Sequence, residues 1–413
     1  MVALKLSVRD DFWRSYTPTT LALSPDGHYL AFIVRSRASE SDSAQPGLSV
    51  QHAGAREKGA LYLLALGARD VVSAMSTFEP QLLTEDVHVG SVLAWHPDSR
   101  HLLFAHAIDG MDAAGNEASK QSVLSSISLE DKHIQHLLAA EYVVHEAAWS
   151  PDGMRIALLG THTSHTSSSV TDAIQSSVDQ LYLLSLSSQS TVDDMVLSSP
   201  HCLTHSSSAY RQLSWTPDGY EVAVLGHAEQ SRSGEPVPAE VMDLLMFHAE
   251  TGVERCLTEH DLDIATYAWA PDSQSAVVVG MRQHVQDQQG QQSRQLFLVT
   301  RYGNVGDHTL AISPSLEGEV FAVSQADEKT AALPGPYRPQ WDETGQRLYF
   351  LVSEYEGHNA LHCLEIVWRS QTRLTEPTAL LTFIALIPGQ AQLLLTEVSS
   401  AGDVGLYHVP LAE

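Results

Sequence analysis

The chain has 413 residues, of which 43% are apolar and 18% carry a charge, and its formal net charge is −27. This apolar share is enough to build a core, whereas the acidic excess repels phosphate backbones and argues against nucleic-acid binding. Three cysteines are too few for a disulfide framework, and no stretch is long and apolar enough to suggest a membrane span.

The first clear pattern is a pair of apolar runs around a tight turn at residues 21–34, LALSPDGHYLAFIV. Proline presets the backbone at the second turn position, and aspartate can bind the backbone two residues further on. Glycine takes the left-handed conformation that closes the turn. This stretch is therefore predicted to be a β-hairpin.

The hairpin pattern recurs along the chain, and in five copies a tryptophan stands immediately before the turn. The further copies lie at residues 92–105, 147–160, 212–226, 267–280 and, in a weaker form, 338–352. The repeated tryptophans are Trp95, Trp149, Trp215, Trp269 and Trp341, and the turn aspartates are Asp26, Asp98, Asp152, Asp218 and Asp272. We expect these residues to have a structural role, with the tryptophans at equivalent positions between repeats.

Two further strand-like phrases recur between the hairpins. A phrase of the Leu-Tyr-Leu type occurs at residues 61–66, 181–186, 243–252, 295–300 and 361–366, and a Leu-Thr pair ends at Thr84, Thr204, Thr258 and Thr375. The first three of these threonines lie eleven residues before the next tryptophan. The same count from Thr375 reaches Leu386 and an Ile-Pro-Gly turn, which predicts a seventh repeat that has lost its tryptophan.

A unit of four strands, repeated at a spacing of 45–72 residues, is typical of a β-propeller. We predict an all-β fold, a seven-bladed β-propeller of four-stranded antiparallel blades, as a single domain over residues 1–413. The repeats are expected near 12–86, 87–139, 140–204, 205–258, 259–330, 331–375 and 376–413.

The seventh repeat supplies three strands only, at residues 380–387, 391–398 and 405–411. Residues 3–8, ALKLSV, alternate between apolar and polar side chains and are the spare strand-like segment at the other terminus. We predict that they pair with the last repeat as its outer strand, because an open sheet edge promotes aggregation. The alternative is an unlatched ring in which residues 1–12 run elsewhere.

Polar insertions separate the second and third strands of four repeats, at residues 36–59, 161–180, 227–240 and 282–295. In an up-and-down blade these insertions emerge on one end of the propeller. That end is the expected contact face for a peptide or protein, since function collects on loops that a rigid scaffold holds. The alternative is that Ser- and Gln-rich insertions are tolerated padding.

The common signatures of catalysis are missing from the sequence. There is no G-x-S-x-G elbow, H-E-x-x-H pair, phosphate loop or dinucleotide fingerprint. His162 and His165 lie in a Ser/Thr-rich loop and are interpreted as solvated, and the predicted first strands are apolar or small, which argues against a metal ion on the axis. We therefore expect no catalytic residue, no cofactor and no metal site.

The N-terminal segment and the cysteines add two smaller expectations. Residues 1–16 lack the apolar region of a signal peptide, so we expect a cytoplasmic protein without a membrane contact. Cys202 and Cys256 occupy the same place in two successive repeats, one residue before the Leu-Thr pair, and are interpreted as small strand fillers.

The combination of W-S-P-D-G, Leu-Tyr-Leu and Leu-Thr phrases resembles the repeats of TolB-type propellers. It also resembles the N-terminal propeller of the prolyl oligopeptidase family of serine peptidases, above all its acylaminoacyl-peptidase-like branch. Residues 10–34, DDFWRSYTPTTLALSPDGHYLAFIV, are similar to the way those peptidases begin, and the likeness covers about residues 10–411. No catalytic residue of that family has a matching position in this chain.

The resemblance implies a non-catalytic propeller that covers the active site of an α/β-hydrolase domain and admits short peptides. That hydrolase would be missing from this chain or supplied in trans, so the expected partner is a peptide or protein. The alternative is a stand-alone TolB-like scaffold for protein or peptide binding. A propeller enzyme with an unrecognised site is a third reading, so whether the chain is an enzyme stays open, with the motifs favouring a non-enzyme.

Overall fold

The computed structural model describes residues 4–6, 8, 12–36, 58–67, 78–89, 92–111, 117–138, 141–162, 179–187, 196–204, 210–227, 241–258, 262–282, 294–302, 309–312, 319–320, 338–355, 358–377, 380–398 and 404–411. Within these ranges the chain forms strands, apart from one short helix. No helix in the described ranges is long and apolar enough to cross a membrane.

The N-terminal part holds strand β1, helix α1 and the strands of the first two repeats. These elements are β1 (Leu4–Leu6), α1 (Phe12–Ser15), β2 (Tyr16–Leu23), β3 (Tyr29–Ser36), β4 (Lys58–Ala65), β5 (Gln81–His88), β6 (Leu93–Trp95), β7 (His101–Met111), β8 (Glu117–Ser128) and β9 (Ile134–His136). Strands β2 to β9 make one sheet, but its halves β2–β5 and β6–β9 are joined by a single bridge between Val87 and His106.

The middle of the chain forms three sheets of four strands each, in sequence order. Their strands are β10 (Tyr142–Trp149), β11 (Arg155–His162), β12 (Gln180–Ser185), β13 (His201–Cys202), β14 (Tyr210–Trp215), β15 (Glu221–Gly226), β16 (Asp243–His248), β17 (Glu254–Cys256), β18 (Leu262–Trp269), β19 (Ser275–Arg282), β20 (Gln295–Thr300) and β21 (Thr309–Ala311). Every neighbouring pair is antiparallel, so each sheet is a meander.

The last two sheets contain β22 (Glu319–Val320), β23 (Gln340–Trp341), β24 (Arg347–Tyr355), β25 (His358–Glu365), β26 (Ser370–Arg373), β27 (Leu380–Leu386), β28 (Gln392–Val398) and β29 (Val404–Pro410). Both β22 and β23 pair with β24, so the first strand of the sixth repeat comes in two pieces. Residues 319–320 therefore lie with the sixth repeat, ahead of the boundary near 330 that the sequence suggested.

The hydrophobic core is divided among the junctions between consecutive repeats, because successive residues of a strand face opposite sides. In β7, Leu102 and Phe104 pack towards the first repeat, whereas Leu103 packs towards the third. The described residues form seven such apolar clusters, and one of them joins the last repeat to the first. The all-β propeller is thus confirmed; the clusters favour seven blades, a number that stays a prediction.

The N-terminal strand closes the ring. β1 pairs antiparallel with β29, in the register Leu4 with His408 and Leu6 with Leu406. Val8 then forms a parallel bridge with Phe78 of the first repeat. The predicted outer strand is confirmed, and the unlatched alternative is wrong.

The first strands of consecutive repeats contact one another from β2 through β6, β10 and β14 and from β18 through β23 to β27, so they lie nearest the propeller axis. Five of them carry a β-bulge, where the pairing with the second strand shifts. The shifts fall between Pro18 and Thr20, Val144 and Glu146, Arg211 and Ser214, Ile264 and Thr266, and Leu381 and Phe383. A bulge re-aims the side chains beside it.

Candidate functional site

The repeated turns hold their aspartates through the same short bonds. The hydroxyls of Ser24, Ser150 and Thr216 donate to Oδ1 of the turn aspartate at 2.6, 2.5 and 2.7 Å. The same oxygen accepts the backbone N–H two residues further on, as the sequence predicted. Burial alone would raise the pKa of Asp152, but these hydrogen bonds outweigh it and hold that pKa below its usual value.

Neighbouring turns also bind each other. In two repeats a serine replaces the turn glycine and takes the left-handed conformation, with φ of 60° at Ser99 and 61° at Ser273. The hydroxyl of Ser99 accepts the N–H of Asp26 at 3.0 Å, and that of Ser273 accepts the N–H of Asp218 at the same distance. Asp26 and Asp218 thus stabilise their own turns through the side chain and bind the next repeat through the backbone N–H.

The second repeat replaces the hydroxyl of this turn by imidazole. His96 Nδ1 lies 3.0 Å from Oδ1 of Asp98, and His101 Nδ1 lies 2.8 Å from its Oδ2. Burial alone would raise the pKa of Asp98. The hydrogen bond from the Arg100 amide and the two imidazoles outweigh that effect and hold the pKa of this carboxyl below its usual range. Among the described residues this is the one group of three that can hold a metal ion, with all three ligand atoms within 4.8 Å of one another.

The five repeated tryptophans occupy the clusters between their own repeat and the preceding one. The indole N–H of Trp95, Trp215 and Trp341 donates to the carbonyls of Ala22, Ala148 and Ala268 at 2.9–3.1 Å. Each acceptor lies one residue before the tryptophan position of the preceding repeat. In the described part of the chain, the indole N–H groups of Trp149 and Trp269 have no such partner.

Polar side chains of the inner strands form bonds between the third, fourth and fifth repeats, and we call this set the axial belt. The two carboxylate oxygens of Glu146 accept the N–H groups of Gln212 and Leu213, each at 2.7 Å. The side-chain amide of Gln212 donates to the carbonyl of Ala265 at 2.6 Å. Burial lowers the pKa of the nearby Arg211, and Asp263 and Glu146 oppose that shift.

The belt continues to the sixth repeat through Tyr267. Its hydroxyl lies 2.5 Å from the carbonyl of Gln212 and accepts the hydroxyl of Ser214 at 2.9 Å. Arg338 stands over the Tyr267 ring, with the guanidinium carbon 5.5 Å from the ring centroid, and donates to the carbonyl of Leu213. Burial is the main reason that the pKa of Tyr267 is raised.

A buried ion-pair network joins the fourth and fifth repeats at their turns. The Arg301 side chain is 1% exposed and donates to Glu221 at 2.7 Å and to Asp218. Arg255 binds both oxygens of Glu221 at 2.6 and 2.8 Å. Asp218, expected from the sequence to be a turn residue, thus also joins a neighbouring repeat.

One serine–histidine pair lies within hydrogen-bond distance. Ser125 Oγ is 2.9 Å from His136 Nδ1, but Ser125 is fully buried. In the described ranges no carboxylate is bonded to His136, so this pair lacks the third member and the access that an acyl-transfer site needs. His165 and most of the four polar insertions fall outside the described residues.

Large exposed apolar side chains collect at one end of the propeller. This turn face carries the connections between the first and second strands and between the third and fourth strands. Its exposed apolar residues are Met154, Val196, Tyr220, Val253, Tyr302, Val367 and Trp368. The sequence analysis predicted the contact face at the opposite end, which bears the polar insertions. It gave no sign of the turn face, because the exposure of single apolar residues has no sequence signature.

Comparisons with known proteins agree on the fold. No protein-family model matches the chain, and no curated protein sequence matches it. The β-propeller domain of the Trilobed protease from Pyrococcus furiosus, described as having an open velcro topology, is 11% identical with a TM-score of 0.56, over 95% of each chain. An oligogalacturonate lyase from Vibrio parahaemolyticus is 12% identical with a TM-score of 0.57, over 100% of this chain and 92% of the lyase.

A third similar structure is prolyl oligopeptidase B from Galerina marginata, bound to a macrocyclization substrate. It is 11% identical with a TM-score of 0.54, over 94% of this chain and 47% of the peptidase. The chain thus spans about half the length of that enzyme. At these identities the likeness establishes the β-propeller fold.

Proposed function

We propose that this chain is a non-catalytic β-propeller that restricts the access of polypeptides to a peptidase active site. The active site would belong to an α/β-hydrolase domain, either joined to this chain or supplied as a separate partner. The propeller would admit short peptides along its axis and exclude longer or folded chains.

The observation that carries the proposal is the axial belt. Glu146, Gln212 and Tyr267 direct their polar groups at the backbone of neighbouring repeats, so they stiffen the inner wall. Catalytic groups have to face a substrate, whereas these are used in bonds between repeats. The inner strands are thus bonded to one another, and the ring is closed by the pairing of β1 with β29. Such a rigid channel could select peptides by size without taking part in catalysis.

The similar structures support the same reading. One is a propeller domain of a protease along nearly its whole length, and another is a prolyl oligopeptidase of which this chain matches about half. The oligogalacturonate lyase has the same fold and a different named activity, so fold alone does not select between them.

We expect the purified chain to hydrolyse neither acyl-aminoacyl nor prolyl peptide reporters, because the described residues hold no accessible activated nucleophile. Labelling of the native protein with a serine-directed fluorophosphonate tests this directly. Matched Ser125→Ala protein serves as the control. Labelling that is lost in this variant would identify an active serine and contradict the proposal.

The filter itself can be tested with the hydrolase. Sequencing the transcript or operon around this coding region shows whether an α/β-hydrolase with a G-x-S-x-G elbow is encoded with it. That hydrolase is then assayed with and without this chain, on a short acyl-aminoacyl reporter and on a reduced, unfolded protein. Adding the propeller should suppress cleavage of the long substrate and spare the short one. Equal effects on both substrates would contradict a filter.

A stand-alone binding scaffold is the second candidate, and the exposed apolar residues of the turn face favour it. The Trp368 side chain lies in a turn of the sixth repeat and is 80% exposed. Fluorescence anisotropy with a labelled pool of unstructured peptides measures binding to the wild type and to Trp368→Ser. Binding without any encoded hydrolase, lost in this variant, would select the scaffold over the filter.

A further inference from the structure

The second repeat carries histidine at two positions of its turn where the neighbouring repeats do not. Counted from the tryptophan position, the first, third and sixth residues are Ser24, Asp26 and Tyr29 in the first repeat and Ser150, Asp152 and Arg155 in the third. In the second repeat they are His96, Asp98 and His101. The repeat architecture therefore needs the aspartate but not the two imidazoles, so the histidines call for another explanation.

The imidazoles converge on the carboxylate between them. Nδ1 of His96 and Nδ1 of His101 lie 3.0 and 2.8 Å from the two oxygens of Asp98. His96 and His101 are each 5% exposed, whereas the Asp98 side chain is 27% exposed. The cluster is thus shielded on the side of the histidines and open to solvent at the carboxylate.

The third repeat fixes the orientation of His96. Its Nε2 lies 3.2 Å from the carbonyl oxygen of Gly153, so Nε2 carries the proton and donates. A side chain at Gly153 would place its Cβ 2.5 Å from Nε2, so only glycine leaves room for the ring. A histidine that binds a metal ion usually donates its other ring N–H to such a carbonyl or carboxylate.

This tautomer leaves Nδ1 of His96 as an acceptor beside a carboxylate. The Asp98 N–H approaches Nδ1 at 3.2 Å, but Oδ1 of Asp98 lies closer, at 3.0 Å, and it is also an acceptor. Two acceptors at this distance repel each other unless a cation lies between them. A proton or a metal ion can fill that role.

We propose that His96, Asp98 and His101 form a binding site for a divalent transition-metal ion of the Zn²⁺ class. Two imidazole nitrogens and one carboxylate oxygen suit Zn²⁺, which binds such ligands at about 2.0–2.2 Å and takes water at an open position. The three ligand atoms lie within 4.8 Å of one another, so small side-chain adjustments bring all of them onto one ion. The ion would join the second repeat to the third through His96 and Gly153.

Repeat-guided variants test the site with little risk to the fold. His96→Ser and His101→Arg install the residues that the third repeat has at these positions. His28→Ser is the matched control, because it removes an exposed histidine whose Nδ1 lies 3.1 Å from Asp26 in the neighbouring turn. Circular dichroism and melting of the metal-free proteins establish that each variant is folded.

The metal-free proteins are titrated with Zn²⁺ in competition with a chromophoric chelator, and with Co²⁺ to record its d–d spectrum. We expect one Zn²⁺ equivalent in the wild type and in His28→Ser. Its affinity should fall by ~100-fold or more in His96→Ser and His101→Arg, since losing an outer partner alone costs about 10–100-fold. Ca²⁺ should not compete, because it prefers oxygen ligands.

Because the chain has 21 histidines, weak Zn²⁺ binding elsewhere is possible, and the comparison between variants removes it. Equal stoichiometry and affinity in all four proteins would overturn the proposal. So would a wild type that binds no Zn²⁺ and gives no Co²⁺ spectrum, in which case a shared proton holds the cluster. If one substituted protein fails to fold, the other still decides the question.

Discussion

At the scale of single residues, the repeated tryptophans show that one sequence position can carry two different energetic roles. Trp149 and Trp215 are buried to the same degree, at 6% and 7% exposure. The indole N–H of Trp215 binds the carbonyl of Ala148, whereas that of Trp149 has no hydrogen-bond partner among the described residues. A buried donor without a partner costs free energy that a paired one does not.

Replacing each of these tryptophans by phenylalanine should therefore have unequal effects. Both substitutions remove a similar apolar volume, but Trp215→Phe also leaves the Ala148 carbonyl without its donor. We expect Trp215→Phe to lower the free energy of unfolding by about 1 kcal/mol more than Trp149→Phe. Urea unfolding of the two variants, followed by circular dichroism, measures the difference. Equal losses would mean that the indole bond contributes nothing net.

Sequence reasoning predicted the bonds that Asp26 and Asp152 accept because the backbone N–H donors lie two residues further along the chain. It did not predict that Ser99 would accept the N–H of Asp26 from another repeat, since nothing in a local pattern encodes which turns become neighbours. The cluster at His96, Asp98 and His101 was missed for a different reason. Each histidine replaces a residue that varies among the repeats, so each substitution alone resembled ordinary repeat divergence.

At the scale of strands, the repeated sequence phrases predicted where the strands lie but not which polar side chains line the inner strands. The first strands were predicted to be apolar or small, although the four residues that end at the tryptophan include Glu146 in the third repeat and Gln212 in the fourth. Glu146 and Gln212 lie at the β-bulges, where the alternation of faces is interrupted. A bulge has no reliable sequence signature, so the sequence did not show that these two side chains bind the backbone of the next repeat.

The divided first strand of the sixth repeat shows a similar limit. The pieces β22 and β23 pair with the same strand, β24. Nineteen residue positions separate Val320 from Gln340, and a contiguous strand pattern cannot bridge that gap. The sequence phrase around Trp341 predicted only β23, the piece next to the turn. Pairing with a common neighbour, a non-local contact, is what assigns Glu319 and Val320 to this repeat.

Strand β29 carries a buried histidine that should make stability depend on pH. His408 is 4% exposed, and neither ring nitrogen has a hydrogen-bond partner among the described residues. Burial lowers its pKa in the folded state, below the value near 6.5 of an unfolded chain. The unfolded state then binds the proton more readily, so this contribution to stability is lost as the pH falls through about 6.5 towards the folded pKa.

We expect His408→Leu to gain stability relative to the wild type as the pH is lowered from 8 to 5. The free energy of unfolding at several pH values measures this, with His133→Leu, a change at an exposed histidine, as the control. A constant difference between His408→Leu and wild type across that range would contradict a buried neutral imidazole. Because His408 pairs with Leu4 of β1, its protonation would weaken the strand pairing that closes the ring.

At the scale of the whole molecule, closure of the ring distinguishes this chain from one of its structural neighbours. The Trilobed protease propeller is described as having an open velcro topology. Here the N-terminal segment spans the junction between the last and first repeats. Leu6 pairs with Leu406 of β29, and Val8 forms a β-bridge with Phe78 of the first repeat. The sequence allowed this prediction because a strand was missing at one terminus and a spare alternating segment stood at the other.

Deleting residues 1–9 tests how much this closure contributes. Leu6 and Val8 are 5% and 4% exposed and belong to the cluster between the last and first repeats. Burying a side chain of this size stabilises a protein by about 1.5–3 kcal/mol, so their loss should cost about 3–6 kcal/mol. We therefore expect a markedly lower melting temperature, measured by circular dichroism, together with a greater tendency to aggregate through the exposed edge of β29.

Two variants separate the apolar contribution from that of the strand pairing. The double substitution Leu6→Ala and Val8→Ala keeps the backbone of β1 and removes most of its apolar burial, and Leu82→Ala, at a side chain that is 38% exposed, is the control. If the deletion destabilises and aggregates the protein more than the double substitution does, the hydrogen bonds between β1 and β29 protect the edge as well. A deletion variant that melts like the wild type would mean that the propeller holds its ring through the contacts between repeats alone.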